Sequence, residues 1–506
     1  MRSASPQHSI PAHPHVILRC MLHRRLALLL LPLTACPTAA DDTSTGASTS
    51  ASASTTSPDS SSTTEPAPTT STSGSTTTSN TTTATTTDPQ TTGSTTDPGT
   101  TTGGDPVMPT VLLPRASIVA DELALLVNDQ DPQSMAVAAY YQEKRQIPAD
   151  NIVTLSFPPA DSLSAADFTT LKTQIDAAVG PQIQAFAVAW TNPHRVDCQS
   201  LVSALALGVD NKYCSTQGNP CSMSAASGYY DSPSLAPFTD LGIRPAMHLA
   251  GVSADEVYKV IDRGVAADGT FPTATGYFLR TTDPDRSVRW PQLSQSKTAW
   301  AHEGGLTIEY IDNSAKQAVD FITNKTDVLF YLTGLASVPE IASNTYLPGA
   351  IADHLTSYGG QIPQSGQMSI VRWLEAGATA SYGTAFEPCN YPWKFPNSLA
   401  LLPHYFRGET LIEAYWKSVD WPGEGVFVGE PLARPWGGAV ITWQDLTLTI
   451  ETTQLIPEQL YALESGPSED GPWTTALADI AIAEHQRAKI SLPGATEPFY
   501  RLVPTP

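Results

Sequence analysis

The sequence predicts an α/β protein built on a mainly parallel, doubly wound sheet and followed by a small all-β module. Three observations predict it. Short continuous apolar runs alternate with segments that are apolar at helical spacing from residue 122 to residue 333. Polar residues cluster where the apolar runs end. After Gly437-Gly438 the pattern changes to short alternating runs between turn residues. Alternation of the first kind requires crossover connections, which cover both faces of the sheet and wind right-handed.

The elements follow in order. Residues 122–127 read as a strand, ended by Asn128-Asp129, and 134–145 read as a helix with Met135, Ala138, Ala139 and Tyr141 at helical spacing. The cycle repeats with strand 151–157 and helix 165–179, then strand 185–190 and the short helix 201–208. After a cysteine-containing excursion come strand 246–251, helix 254–263 and strand 276–282. Helix 292–302, strand 306–311, helix 315–324 and strand 328–333 complete the run. In the last domain 440–443, 446–451, 461–465, 480–482, 487–492 and 500–503 are short alternating runs that suggest a β-sandwich.

The amino-terminal end has a different character. A basic stretch from Arg19 to Arg25, the apolar run 26–33 and Leu33-Thr34-Ala35-Cys36 have the parts of an export signal, too short to persist as a membrane helix. The ending resembles a bacterial lipobox, which makes Cys36 the lipidation site of an envelope lipoprotein held to the membrane by its acyl chains. A plain secretory signal is the alternative, and Met21 is an alternative start. Residues 37–106 are nearly all Ser and Thr with scattered Pro, Gly and Asp. They lack the apolar surface to offset ordering and read as a disordered, low-complexity linker. The expected division is therefore 1–36 signal, 37–106 linker, 107–438 α/β domain and 439–506 β-module.

A formal charge of −22 with 27 Lys plus Arg excludes nucleic acid as an expected partner, because counterion release needs a basic surface. Apart from Cys20 and Cys36, the cysteines are Cys198, Cys214, Cys221 and Cys389, an even number in an oxidising compartment. Cys214 and Cys221 flank a turn-rich loop suited to a local disulfide, leaving Cys198 and Cys389 either to bridge or to stay free. With no CxxC or clustered histidines, no metal is expected. No GxGxxG, P-loop or GxSxG motif is present, so no cofactor is expected and a common hydrolase elbow is disfavoured.

In a parallel sheet, ligands sit outside the carboxyl ends of the strands. The candidate binding residues there are Asn128, Asp131, Thr191, His194, Arg195, Asp283 and Thr333. Asp, Asn and Thr at such places also cap the next helix. A second candidate region is 375–436, where Cys389, His404, Trp393, Trp416, Trp421 and Trp436 stand among glycines and prolines.

Several segments together resemble a family of uncharacterised exported bacterial proteins that co-occur with exosortase-type sorting systems. They are LALLVNDQDPQSMAVAAYYQEKRQIPADNIV, VIDRGVAADGT with ATGYFLRTTD, LPGAIADHLTSYGG, and WLEAGATASYGT continuing through EPCNYPWKFP, GETLIEAYWKSV and VFVGEPLARPW. A more distant resemblance is to the caspase-like domain of gingipain-type cysteine peptidases. In those enzymes a His-Gly follows one strand and a catalytic Cys ends the next. Here the corresponding places read Thr333-Gly334 and Ala352-Asp353-His354-Leu355. A peptidase would therefore use Cys389 as nucleophile with His354 or His404 as base. The competing expectation is a cleft that binds a cell-surface peptide or glycan without cutting it.

Overall fold

Ten strands make the central sheet of an α/β body, and the structure, a computed structural model, describes residues 108–214, 221–300 and 304–505. The expected signal, Cys36, the linker and the end of the helix expected to reach His302 lie outside those residues. The strands are β1 Leu123–Asn128, β2 Ile152–Leu155, β3 Ala185–Val188, β4 Ala246–His248 and β5 Ala274–Arg280. They continue with β6 Leu306–Asp312, β7 Val328–Thr333, β8 Tyr346–His354, β9 Ala380–Thr384 and β10 Gly425–Gly429. Their order across the sheet is β6-β5-β7-β8-β9-β10-β4-β3-β1-β2. β2, β1, β3 and β4 pair in parallel, as do β6, β5, β7, β8 and β9. β10 runs antiparallel to β9 along five residue pairs and meets β4 at the single bridge Val428 to His248. The fold class is the expected one.

The central strands are apolar because both of their faces are covered. β1, β3 and β7 are buried along their whole lengths. Helix α1, Pro132–Arg145, starts on the Asp131 side chain, which accepts from the Gln133 N–H, and has Pro132 in its first turn. α2, Ala165–Ala178, is capped by Ser164, and α3, Leu201–Leu207, by Ser200. The remaining helices are α4 Pro237–Leu241, α5 Ala254–Ala267, α6 Trp290–Ala299, α7 Val371–Ala376, α8 Ser398–Phe406 and α9 Leu411–Ser418. Thr410 and Glu413 form a capping box at the start of α9.

From β4 the chain crosses to the far half of the sheet, lays down β5 to β9, and returns to the centre with β10. At the end of β10, Glu430 is wholly buried and receives the Tyr141 hydroxyl at 2.8 Å and two nitrogens of Arg145 at 2.9 and 2.5 Å. The Leu432 N–H is its fourth donor. Gly264 of α5 makes room for it: a Cβ at that position would lie 2.3 Å from a Glu430 carboxylate oxygen. Burial disfavours the Arg145 guanidinium, but Glu430 outweighs that and raises its pKa.

One expectation of secondary structure is corrected. Residues 315–324 are not helical. The Asn313 side chain accepts from the Ala318 N–H and donates to the Ala318 carbonyl and to Asp320, so side-chain bonds close the segment as a loop. The domain division is also crossed by the chain. The strand Thr110–Leu112, expected in the α/β domain, pairs in parallel with Phe499–Pro504 of the β-module. That module has two sheets, one of Val440–Gln444, Thr447–Thr452 and Ala488–Leu492, the other of Thr110–Leu112, Phe499–Pro504, Tyr461–Gly466 and Thr474–Ile480. Leu448, Ile450, Leu463, Tyr500 and Leu502 are in its own apolar core.

Replacing Arg145 with Met removes the cation from a buried carboxylate, and such a change typically costs about 3–5 kcal/mol. Urea unfolding of Arg145→Met is expected to show a loss of that size, and a loss below about 1 kcal/mol would show that Glu430 does not depend on the pair.

Candidate functional site

The carboxyl ends of the strands meet at one edge of the sheet. A cavity of about 380 Å3 is lined by Asp161, His194 and Arg195 from the loops after β2 and β3, and by Gln361 to Gln364 from the loop after β8. A second, of about 340 Å3, is lined by Asp285 and Arg286 after β5, Leu355 to Ser357 after β8, and Glu387, Cys389, Asn390 and Cys221. The 355–364 loop serves both. It lies tight on the end of β9, where the Gly360 N–H donates to the Thr384 carbonyl and a Cβ on Gly360 would come 2.7 Å from the Gly383 oxygen. A larger hollow of about 560 Å3 lies beside α2 and α3. Its charges are already occupied, Lys172 by Asp176 at 2.6 Å and Arg244 by the Ile183 carbonyl at 2.8 Å.

Most of the expected binding residues build this edge rather than face a ligand. Asn128 is buried and its Oδ1 accepts from the N–H groups of Gln130 and Phe157. Asp131 is the α1 cap. Thr191 stitches the loops after β3 and β4, donating to the Gly251 carbonyl at 2.9 Å and accepting from its N–H at 3.1 Å. Thr333 is buried, and its carbonyl accepts from Arg289 at 2.8 Å. Asp283 holds Arg286 through a 2.8 Å ion pair. Two of the seven line a cavity themselves, His194 and Arg195.

His194 is buried, with Nδ1 2.9 Å from Asn192 and, among the described residues, no partner at Nε2. Burial, then the nearby His248 and Arg195, push its pKa down to about 3, so it is neutral. His248, at the end of β4, is likewise lowered to about 4 by burial, against its bond to the Trp190 carbonyl.

The proposed thiol chemistry meets three obstacles. Cys389 is bonded to Cys221, and Cys198 to Cys214. This corrects the expected Cys214–Cys221 bridge and answers the open choice for Cys198 and Cys389, which are neither joined to each other nor free, leaving no thiol at position 389. His354 is fully buried in the last position of β8. Its Nδ1 accepts from the Trp373 indole at 2.9 Å and its Nε2 faces the Met368 carbonyl at 3.1 Å. Trp373 can only donate there, so the proton sits on Nε2 and no lone pair is left for a base. His404 lies at another corner, in α8, with Nδ1 2.7 Å from Glu409 and Nε2 3.0 Å from Asp231. Burial opposes its imidazolium, but the Glu409 charge and the bonds from Asp231 and Glu409 outweigh it and raise its pKa. Lys417, 2.6 Å from Glu409, completes a buried charge network.

The ends of β7 and β8 are also filled. Beneath Thr333 the Arg289 guanidinium donates to Asp353 at 2.6 Å, with both side chains about 1% exposed. Burial raises the Asp353 pKa, opposed by Arg289.

The lining residues that the sequence reading missed are Asp161, Arg286, Gln361 and Gln364, while Asp285 stands at a strand end and Glu387 and Asn390 lie in the candidate region 375–436. One local signal marks part of the set: Asp283-Pro284-Asp285-Arg286 directly follows β5, a turn with charges at a strand's carboxyl end.

A solved structure called "Structure of Protease" is similar, with a TM-score of 0.37 and 10% identity over 77% of this chain and 98% of that one. No family model matches the sequence, and no curated protein matches it.

The buried histidines set the acid response. His194, His248 and His354 have folded pKa values of about 3, 4 and 3, all below the ordinary 6.5. Their stabilising effect is complete above pH 6.5 and is lost as pH falls toward those values, by about 1.4 kcal/mol per pH unit for each histidine. Glu413 acts oppositely, because burial, then Glu409, raises it to about 7, so its contribution fades as pH rises from 4.5 to 7. Urea unfolding between pH 6 and 5 is expected to lose one proton's worth of slope in His354→Gln; an unchanged slope would mean that His354 is not held neutral.

Proposed function

We propose that the protein is an envelope-tethered binding protein that holds a peptide in the cleft at the carboxyl edge of its sheet and does not cut it. The tether is the acyl group on Cys36, which Cys36→Ala would remove, releasing the chain from membranes.

The observation that carries the reading is the contrast between the catalytic candidates and the cleft walls. The Cys389 sulfur and both ring nitrogens of His354 are engaged. The walls instead offer Asp161, Arg195, Asp285, Arg286 and Glu387 beside the side-chain amides of Gln361, Gln364 and Asn390. Amides present a donor and an acceptor together and so match a peptide group, while the charges of both signs suit charged side chains or termini. Arg286 is held ready by Asp283 at 2.8 Å and by the Thr356 hydroxyl at 3.2 Å.

Affinity selection of a tetrapeptide library on the oxidised protein is expected to enrich peptides that bind saturably and leave intact. Arg286→Ala should weaken that binding by about tenfold, or about 1.4 kcal/mol. A non-reducing peptide map should give Cys198–Cys214 and Cys221–Cys389. Cleavage of the library that disappears in Cys389→Ala would overturn the reading in favour of a thiol peptidase.

A further inference from the structure

The tryptophans of the 375–436 block are not part of the cleft lining, and one of them is largely exposed. Of the ten tryptophans, Trp290 and Trp393 are the most exposed, at 39% and 52%. Trp290 is covered by Arg280, whose guanidinium lies 4.2 Å from the ring centroid. Among the described residues no cation lies over Trp393. The adjacent Lys394 is buried, paired with Glu424 at 2.6 Å, and its ammonium lies toward Tyr391.

Behind Trp393 stands Trp421, 8% exposed, with ring centroids 5.2 Å apart and planes at 27°. Tyr391 lies 5.6 Å from Trp421 and 6.5 Å from Trp393, so the three rings form one cluster. The turn that presents Trp393 is fixed at every residue around it. The Trp421 N–H donates to the Trp393 carbonyl at 2.9 Å, and the Tyr382 hydroxyl to the Lys394 carbonyl at 2.6 Å. The Tyr391 hydroxyl donates to the Cys221 carbonyl at 3.2 Å, and Cys221 is joined covalently to Cys389.

We propose that the outer face of Trp393 is a carbohydrate-binding platform for neutral pyranose units. One face of a pyranose is a patch of C–H groups of about the size of an indole. Its weakly positive hydrogens meet the negative face of the aromatic system, while the sugar hydroxyls stay at the rim in water. Asp420, half-buried and next to Trp421 in the chain, is a polar neighbour of the aromatic set. A single ring face is far below the roughly 1,000 Å2 that a protein partner needs. A chain with a charge of −22 disfavours polyanionic glycans, which leaves neutral ones. This platform does not depend on the peptide reading of the cleft.

The test is affinity titration of the full chain with cellohexaose, maltohexaose and chitohexaose. At least one is expected to bind saturably, about tenfold more weakly in Trp393→Ala and nearly normally in Trp393→Tyr. Trp290→Ala and the cleft variant Arg286→Ala should leave sugar binding unchanged, so failure here and failure of the cleft are separable. An unaltered unfolding midpoint in Trp393→Ala would show that the fold is intact. The proposal is overturned if none of the three sugars binds at millimolar concentration, if Trp393→Ala binds them as well as the parent, or if a proline-rich decapeptide alone occupies the platform.

Discussion

The structure turns on a carboxylate that water never reaches. The chain builds one half of its sheet, leaves for the other half, and must then close the centre with a strand that arrives last in the order. Glu430 ends that strand, and its four donors come from α1, formed near the beginning of the body, and from the backbone just beyond. A buried charge of this kind is stable only with its partners in place. The pairing therefore makes the first helix and the last strand conditions of each other. It also fixes which loops become neighbours, because closing the seam brings the loops after β2 and β3 against the loop after β8.

The same logic explains why so many polar residues gather at this edge. Parallel strands ending together expose many backbone donors and acceptors, and each must be satisfied. Thr191, Asn128 and Asp131 answer that need with side-chain bonds, and Arg289 with Asp353 fills the space under Thr333. What is left over at the surface, Arg286 and the amides around it, is the part free to meet something else.

Much of the fold was legible from the chain because burial on both faces writes itself as an unbroken apolar run, as in Leu123 to Val127 and Val328 to Leu332. The loop at 315–324 was not legible as a loop. Its apolar spacing suits a helix, and the deciding bonds come from Asn313, whose preference for closing turns has no periodic signature. The disulfides were misread for a different reason. Cys214 and Cys221 are close in sequence, but the fold carries position 389 beside 221, a contact across 168 residues that no local pattern announces. The site was half legible: His194 and Arg195 follow from the rule that ligands gather at strand ends, whereas Gln361, Gln364 and Glu387 lie in loops whose destination depends on the order of β8, β9 and β10.

The parallel pairing of Thr110–Leu112 with Phe499–Arg501 brings the first and last described strands of the chain into one sheet. Tension applied to the chain ahead of Met108 is therefore received by the β-module, along the length of a strand whose bonds are loaded in shear. Before it reaches β1 it must also disengage the Arg115–Glu122 ion pair and the bond from the Ile118 N–H to Glu413. Force entering at this end would load the module and these contacts before it loads β1.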